Sequence, residues 1–111
     1  MPHCVIEHSE NIDSDILITS VYQAALVSNL FEAQGSDIKV RAIPFKYFQT
    51  GNVDLSFIHV GLKILSGRNI EQKSQLSNLV LNELERLTLT ACSISVEVID
   101  IDRASYAKII K

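Results

Sequence analysis

The spacing of apolar residues along this chain switches twice between every second residue and every third or fourth residue, in the same order each time. A period of two is typical of a β-strand, and a period near 3.6 is typical of a helix that buries one face. Strand patterns occupy residues 3–8, 38–43, 57–65 and 93–101, and a helix pattern lies within each pair. The sequence therefore predicts an α+β fold of two strand–helix–strand units in tandem, with the halves covering about residues 1–50 and 51–111.

In the first half, a polar turn at residues 9–11 precedes a helix that either Asp13 or Ser14 can cap. Gly35 is placed to end this helix. Pro44 cannot donate a ladder hydrogen bond, so it either interrupts the following strand or lies at the edge of the sheet. The residues predicted to form the buried face of the helix are Leu17, Val21, Ala24 and Phe31.

In the second half, Gly51-Asn52 predicts a turn before the third strand, and Asn69 followed by Gln72 matches a capping box. The predicted apolar faces are Ile58, Val60, Leu62 and Ile64 on the strand, and Leu76, Val80, Leu84 and Leu87 on the helix. A ferredoxin-like β-α-β-β-α-β sandwich has the same order of elements, and periodicity does not separate it from tandem units.

Composition narrows the class of protein. Hydrophobic residues make up 47 % of the 111 residues and charged residues 21 %, as expected for one globular domain over residues 1–111. The net charge is −3 and no basic stripe is visible, so we expect no nucleic-acid partner. The apolar runs are too short to span a membrane.

Cys4 and Cys92 lack a metal-ligand spacing, which together with the absence of a signal peptide predicts reduced thiols in the cytoplasm.

Both helices are expected on one face of the sheet, which leaves the other face uncovered. On the third strand that face carries Phe57, His59, Gly61, Lys63 and Leu65. This mixture is too polar for a core and too apolar to be left fully in water. A sheet face of this kind is usually completed by another subunit, so we expect an oligomer.

Two short motifs indicate candidate catalytic and binding residues. Met1-Pro2-His3 leaves Pro2 with a free secondary amine if the initiator methionine is removed. The segment from Ile64 to Lys73, with Gly67-Arg68 between strand and helix, resembles the strand–turn–helix of the 4-oxalocrotonate tautomerase superfamily. Together with Val5-Ile6-Glu7 and Phe57-Ile58-His59-Val60, it resembles the 5-carboxymethyl-2-hydroxymuconate isomerase family over most of the chain.

The resemblance implies a homotrimer of tautomerase-like subunits, without metal or organic cofactor, acting in the breakdown of aromatic compounds. It implies that Pro2 carries a proton between carbons of a 2-hydroxymuconate-type dicarboxylic enol or keto acid, and that Arg68 binds one substrate carboxylate. A second cation falls at Lys39. Arg41 lies on the same strand face and is an alternative, because Lys cannot form the bidentate contact of Arg. His59 either lines the pocket or is an interface histidine.

Proton transfer by Pro2 requires a neutral amine, so its pKa must fall towards the working pH. Burial and a nearby cation such as Arg68 both act in that direction. A second class of function keeps the trimeric scaffold as a non-catalytic module for small-molecule binding or interaction. Intact mass separates the two hypotheses, because only the enzyme requires the loss of Met1.

Overall fold

Alternating apolar strands and two capped helices define the architecture in a computed structural model that describes residues 1–111. The strands are β1 (His3–Ser9), β2 (Lys39–Phe45), β3 (Ser56–Leu65) and β4 (Cys92–Ile101). The helices are α1 (Ser14–Val27) and α2 (Ile70–Glu85), and a 3-10 turn, Arg103–Ser105, follows β4. Neither helix has the length and apolar character required to cross a membrane.

The four strands form one sheet in the order β2-β1-β3-β4. β1 is parallel to β2, β3 is parallel to β4, and β1 is antiparallel to β3. The two strands of each unit are therefore neighbours, whereas a ferredoxin-like sheet splits each unit. This confirms two tandem βαβ units. Because of the antiparallel pairing, the starts of β1 and β2 and the ends of β3 and β4 share one border of the sheet, here called the Pro2 edge.

The core lies between the helices and one face of the sheet. The predicted inner face of β3 is confirmed, since Ile58, Val60, Leu62 and Ile64 are all buried. Burying one such side chain contributes about 1.5–3 kcal/mol to folding. The helical residues that meet this face are also as predicted: Leu17, Val21 and Ala24 from α1, and Leu76, Val80 and Leu84 from α2.

Helix α1 ends at Val27, so the predicted end at Gly35 is wrong and Phe31 lies outside the helix. The Ser28 hydroxyl donates to the Ala25 carbonyl at 2.6 Å, and Asn29 turns the backbone out of the helix with φ 61°. Serine side chains compete in this way for backbone groups, and asparagine tolerates the left-handed region. Leu87, predicted on the α2 stripe, also lies beyond its helix and is half-buried.

The helix starts agree with the sequence. Asp13, rather than Ser14, caps α1 by accepting a hydrogen bond from the Asp15 N–H at 2.9 Å. The capping box of α2 is complete, with the Asn69 side chain accepting from Gln72 N–H at 2.8 Å and the Gln72 side chain accepting from Asn69 N–H at 3.0 Å. Pro44 lies in β2, which is an outer strand of the sheet, as predicted.

The face of the sheet opposite the helices, here called the bare face, is not covered by a helix or a further strand. On it, Lys63 is exposed and Phe57, His59 and Leu65 are half-buried. Gly61 is the exception, because the Ile99 side chain leans over it and would lie 3.5 Å from an added Cβ. The expectation of a mixed, uncovered face is confirmed.

Candidate active site

Pro2 is fully buried where the chain enters β1. Its carbonyl accepts a hydrogen bond from the Lys39 N–H at 3.1 Å, which fixes it against the start of β2. The Met1 side chain packs into the core, and the Met1 amine donates to the Asp37 carbonyl at 3.0 Å. The beginning of the chain is therefore held at the Pro2 edge rather than free in solvent.

The electrostatic environment of this corner disfavours positive charge on an amine. Burial lowers the pKa of the Met1 amine, and the nearby ammonium groups of Lys39 and Lys108 lower it further. Asp37 acts in the opposite direction but does not cancel the shift. An amine at this position is thus more easily neutral than one in water.

Besides Lys108, five cations lie around the Pro2 edge, and these five are here called the basic rim. Lys39 and Lys63 flank His3 in the sheet, Arg41 is two residues further along β2, and Arg68 and Arg103 follow the ends of β3 and β4. The rim thus holds five of the ten Lys and Arg residues of a chain with net charge −3.

None of the rim cations belongs to the ion pairs of the chain, which are His59–Glu97, Lys73–Asp100 and Arg86–Glu83. Positive charges that lack carboxylate partners create a local field attractive to anions. The basic rim can therefore receive an anionic ligand.

The structure gives Arg68 an internal contact. Its guanidinium donates to the Leu30 carbonyl at 2.6 Å and lies over the Phe31 ring, 5.6 Å from the ring centroid. Arg68 thereby ties the loop after α1, which leads to Lys39, to the start of α2. Gly67 permits this approach, because its φ of 128° is a conformation that other residues rarely adopt. The remaining N–H groups of Arg68 have no partner within the chain.

His3 joins β2 to the tail of the chain. Its Nδ1 lies 3.2 Å from Arg41 Nη1, and its Nε2 lies 3.0 Å from the Tyr106 hydroxyl. Burial, then Arg41, lowers the pKa of His3, which favours the neutral ring. Arginine only donates, so Nδ1 accepts and Nε2 carries the hydrogen. The sequence did not indicate Tyr106, which follows the last strand and belongs to no motif.

His59 lies elsewhere on the bare face. It is opposite Glu7, four residues beyond His3, which places it about 13 Å along the strand. Its ring nitrogens lie 2.7 Å from Ser95 Oγ and 2.6 Å from Glu97 Oε2. The structure therefore brings Pro2, Lys39 and Arg68 to one edge, with Arg41 beside them, but does not bring His59 there.

Two further reactive side chains, those of Cys4 and His8, are buried on the core side of the sheet. Cys4 faces the core, and burial raises the pKa of its thiol to about 12, so it is not a nucleophile. His8 is buried and bonded to the Ser9 carbonyl and the Ser14 hydroxyl, on the face opposite His3. No group of three His, Cys, Asp or Glu side chains is arranged to hold a metal ion.

Comparison with known proteins identifies the family that the sequence matches. The family model described as 5-carboxymethyl-2-hydroxymuconate isomerase matches residues 2–108, almost the whole chain. Among curated proteins, none matches the sequence significantly.

Solved structures share the fold at low identity. A 5-carboxymethyl-2-hydroxymuconate isomerase from Deinococcus radiodurans R1 has a TM-score of 0.75 at 19 % identity, covering 99 % of this chain and 90 % of that one. A 5-carboxymethyl-2-hydroxymuconate delta-isomerase has 0.68 at 16 %, covering 100 % and 89 %. A fused 4-OT symmetric trimer has 0.77 at 13 %, covering 96 % and 90 %. The fold is tautomerase-like.

The lowered pKa of His3 makes stability depend on pH. Below the ordinary histidine pKa of about 6.5 the unfolded chain binds a proton that the folded chain resists, so the free energy of unfolding decreases. We expect the melting temperature to fall from about pH 7.5 to about pH 5.5, and to fall less steeply in His3→Gln. Circular dichroism melting curves test this, and equal slopes for the two proteins would contradict it.

Proposed function

Because the chain belongs to the 5-carboxymethyl-2-hydroxymuconate isomerase family, and is an isomerase of that family, we propose that it moves a proton between carbons of a 2-hydroxymuconate-type dicarboxylate with Pro2 as acid and base. The observation that carries the proposal is the corner at Pro2, where the Met1 amine has a lowered pKa and lies beside cations without carboxylate partners.

The proposed reaction requires removal of Met1, because the nitrogen of Pro2 is otherwise an amide without a basic lone pair. The freed secondary amine would inherit the buried, cationic surroundings that lower the pKa of the Met1 amine. As a neutral base it takes a proton from one substrate carbon. As an ammonium it returns the proton to another carbon, so no metal or organic cofactor is needed.

The basic rim supplies anchors for two carboxylates. Arg68 lies at the start of α2, where unpaired backbone N–H groups also favour an anion. Lys39 is exposed directly beside Pro2, and Arg41 is exposed two residues further along β2. Arg41 uses one N–H on His3 at 3.2 Å, whereas the Lys39 ammonium has only a long contact, 3.5 Å, to the Asp37 carbonyl. Lys39 is therefore the second anchor that moves more easily toward a ligand.

We propose that the active assembly is a homotrimer. The bare face leaves Ile43 and Ile99 partly exposed, and β2 and β4 each have one unpaired side. The fused 4-OT relative with the same fold is described as a symmetric trimer. Closing three such sheets around an axis would cover the bare faces and pair the strand edges.

Light scattering should give three times the chain mass of 12.4 kDa at micromolar concentration. Ile99→Lys places a charge on the bare face and should shift the protein towards monomer, because burying an unpaired ammonium is unfavourable. Ile16→Lys is the matched control, since Ile16 is 50 % exposed on the outer side of α1. A monomeric parent protein, or equal effects of the two changes, would contradict the trimer.

Pro2→Ala should lower kcat on the dicarboxylate by about 10²- to 10⁴-fold, because it replaces a rigid secondary amine by a more mobile primary amine. Intact mass must first show that Met1 is absent from both proteins. Pro44→Ala is the control, as this second proline lies in the exposed edge strand. Ultraviolet absorbance follows the dienol, and unchanged turnover in Pro2→Ala would show that another group moves the proton.

Arg68→Ala should weaken dicarboxylate binding by about 1.5–3 kcal/mol, seen mainly as a higher KM. Lys39→Ala should raise KM more than Arg41→Ala does, or should lower kcat. Lys46→Ala, just beyond the other end of β2, should change neither KM nor kcat.

A monocarboxylate enol should be less sensitive than the dicarboxylate to whichever cation holds the missing carboxylate. Arg68 also donates to the Leu30 carbonyl, so Arg68→Ala removes a contact within the fold as well as an anchor. Melting curves measure the loss of stability separately from the loss of binding. If the Arg68, Lys39 and Arg41 variants all retain normal kinetics, the anchor assignment is wrong.

A further inference from the structure

The segment after β4 returns across the Pro2 edge. The Arg103 N–H donates to Ser66 Oγ at 3.2 Å, and Arg103 Nε donates to the Ser66 carbonyl at 3.1 Å. The Asp102 side chain caps the 3-10 turn by accepting from the Ala104 N–H. These bonds direct the chain back over β3, so that half-buried Tyr106 reaches the first residue of β1.

The hydrogen bonds from Arg41 to Tyr106 run in one direction. Arg41 donates to His3 Nδ1, and His3 Nε2–H donates to the Tyr106 oxygen. The phenolic hydrogen is left to donate outward, and it has no acceptor within the chain. A cation at the head of such a chain polarises each later bond and makes the final O–H a stronger donor.

On the premise of the isomerase function proposed above, we propose that the Tyr106 hydroxyl donates a hydrogen bond to the 2-oxygen of the substrate. Arg41 and His3 act as positioning residues that orient this hydroxyl. When the Pro2 amine removes a proton from the carbon beside the carbonyl in the 2-oxo (keto) form of the substrate, the electron pair of the broken C–H bond moves into the enolate system and negative charge develops on that oxygen. Tyr106 stabilises the charge without losing its proton, and the Pro2 ammonium then protonates the second carbon.

This role differs from that of the basic rim. A cation on a carboxylate binds substrate and transition state about equally, whereas a donor to the developing enolate acts mainly in the transition state. Removing one donor of this kind typically lowers kcat by about 10²–10³-fold. Loss of the Tyr106 hydroxyl should therefore lower kcat while leaving KM nearly unchanged.

The kinetic test compares Tyr106→Phe with Tyr47→Phe, a tyrosine that is 84 % exposed in the loop after β2. We expect kcat on the 2-hydroxymuconate-type dicarboxylate to fall about 10²-fold in the first variant, with KM within about twofold, and no change in the second. His3→Ala should also lower kcat, and His3→Gln, which can accept and donate, should restore most of it. His3→Ala should add no further loss to Tyr106→Phe, because His3 acts through Tyr106.

A binding test does not depend on turnover. The six-carbon diacids 2-oxoadipate and adipate differ only in the 2-oxygen, so calorimetry with both measures the contact to that atom. The Met1-free protein should bind 2-oxoadipate about two- to thirteenfold more tightly than adipate, which is the ratio that one hydrogen bond of roughly 0.5–1.5 kcal/mol produces. Tyr106→Phe should lose this preference and keep its adipate affinity, which also shows that the variant is folded.

The outcomes separate the two proposals. A Tyr106-dependent preference for 2-oxoadipate without turnover would support the contact and contradict the isomerase reaction. Turnover with unchanged kcat and unchanged preference in Tyr106→Phe would support the reaction and overturn the role of Tyr106. Failure of the parent protein to bind 2-oxoadipate more tightly than adipate would also overturn that role.

Discussion

The antiparallel pairing of β1 with β3 is the contact on which the rest of the arrangement depends. Each βαβ unit is internally parallel, and among the strand pairings only this one joins the two units, which it sets in opposite directions. It places the start of one unit beside the end of the other. Pro2 consequently lies at the same border of the sheet as Arg68 and Arg103, although about a hundred residues separate Pro2 from Arg103 in the chain.

The basic rim is unfavourable for the folded protein by itself. Its cations lie near one another without carboxylate partners, and like charges at short distance repel. Arg68 offsets part of this cost through the Leu30 carbonyl and the Phe31 ring. A bound dianion would offset the rest, which is the usual relation between a binding site and the stability of its empty form.

Because side chains alternate between the two faces of a strand, neighbouring residues at the Pro2 edge lie in different environments. Pro2 and Cys4 point towards the core, where burial favours neutral groups and raises the pKa of the Cys4 thiol. His3, between them, points to the bare face and meets Arg41 and Tyr106. A one-residue shift of β1 would exchange these environments, so the register of the strand controls both the burial of Pro2 and the hydrogen bonds to the tail.

The element order, the apolar faces and the α2 capping box followed from the sequence, because periodicity and caps are local properties of neighbouring residues. The sequence did not separate tandem units from a ferredoxin-like sandwich, and it placed the end of α1 eight residues too far, at Gly35 instead of Val27. Strand order and the contacts of Arg68 and Tyr106 depend on groups distant in the chain. Only the tertiary structure decided them, since long-range pairing is set by the packing of the whole sheet rather than by local pattern.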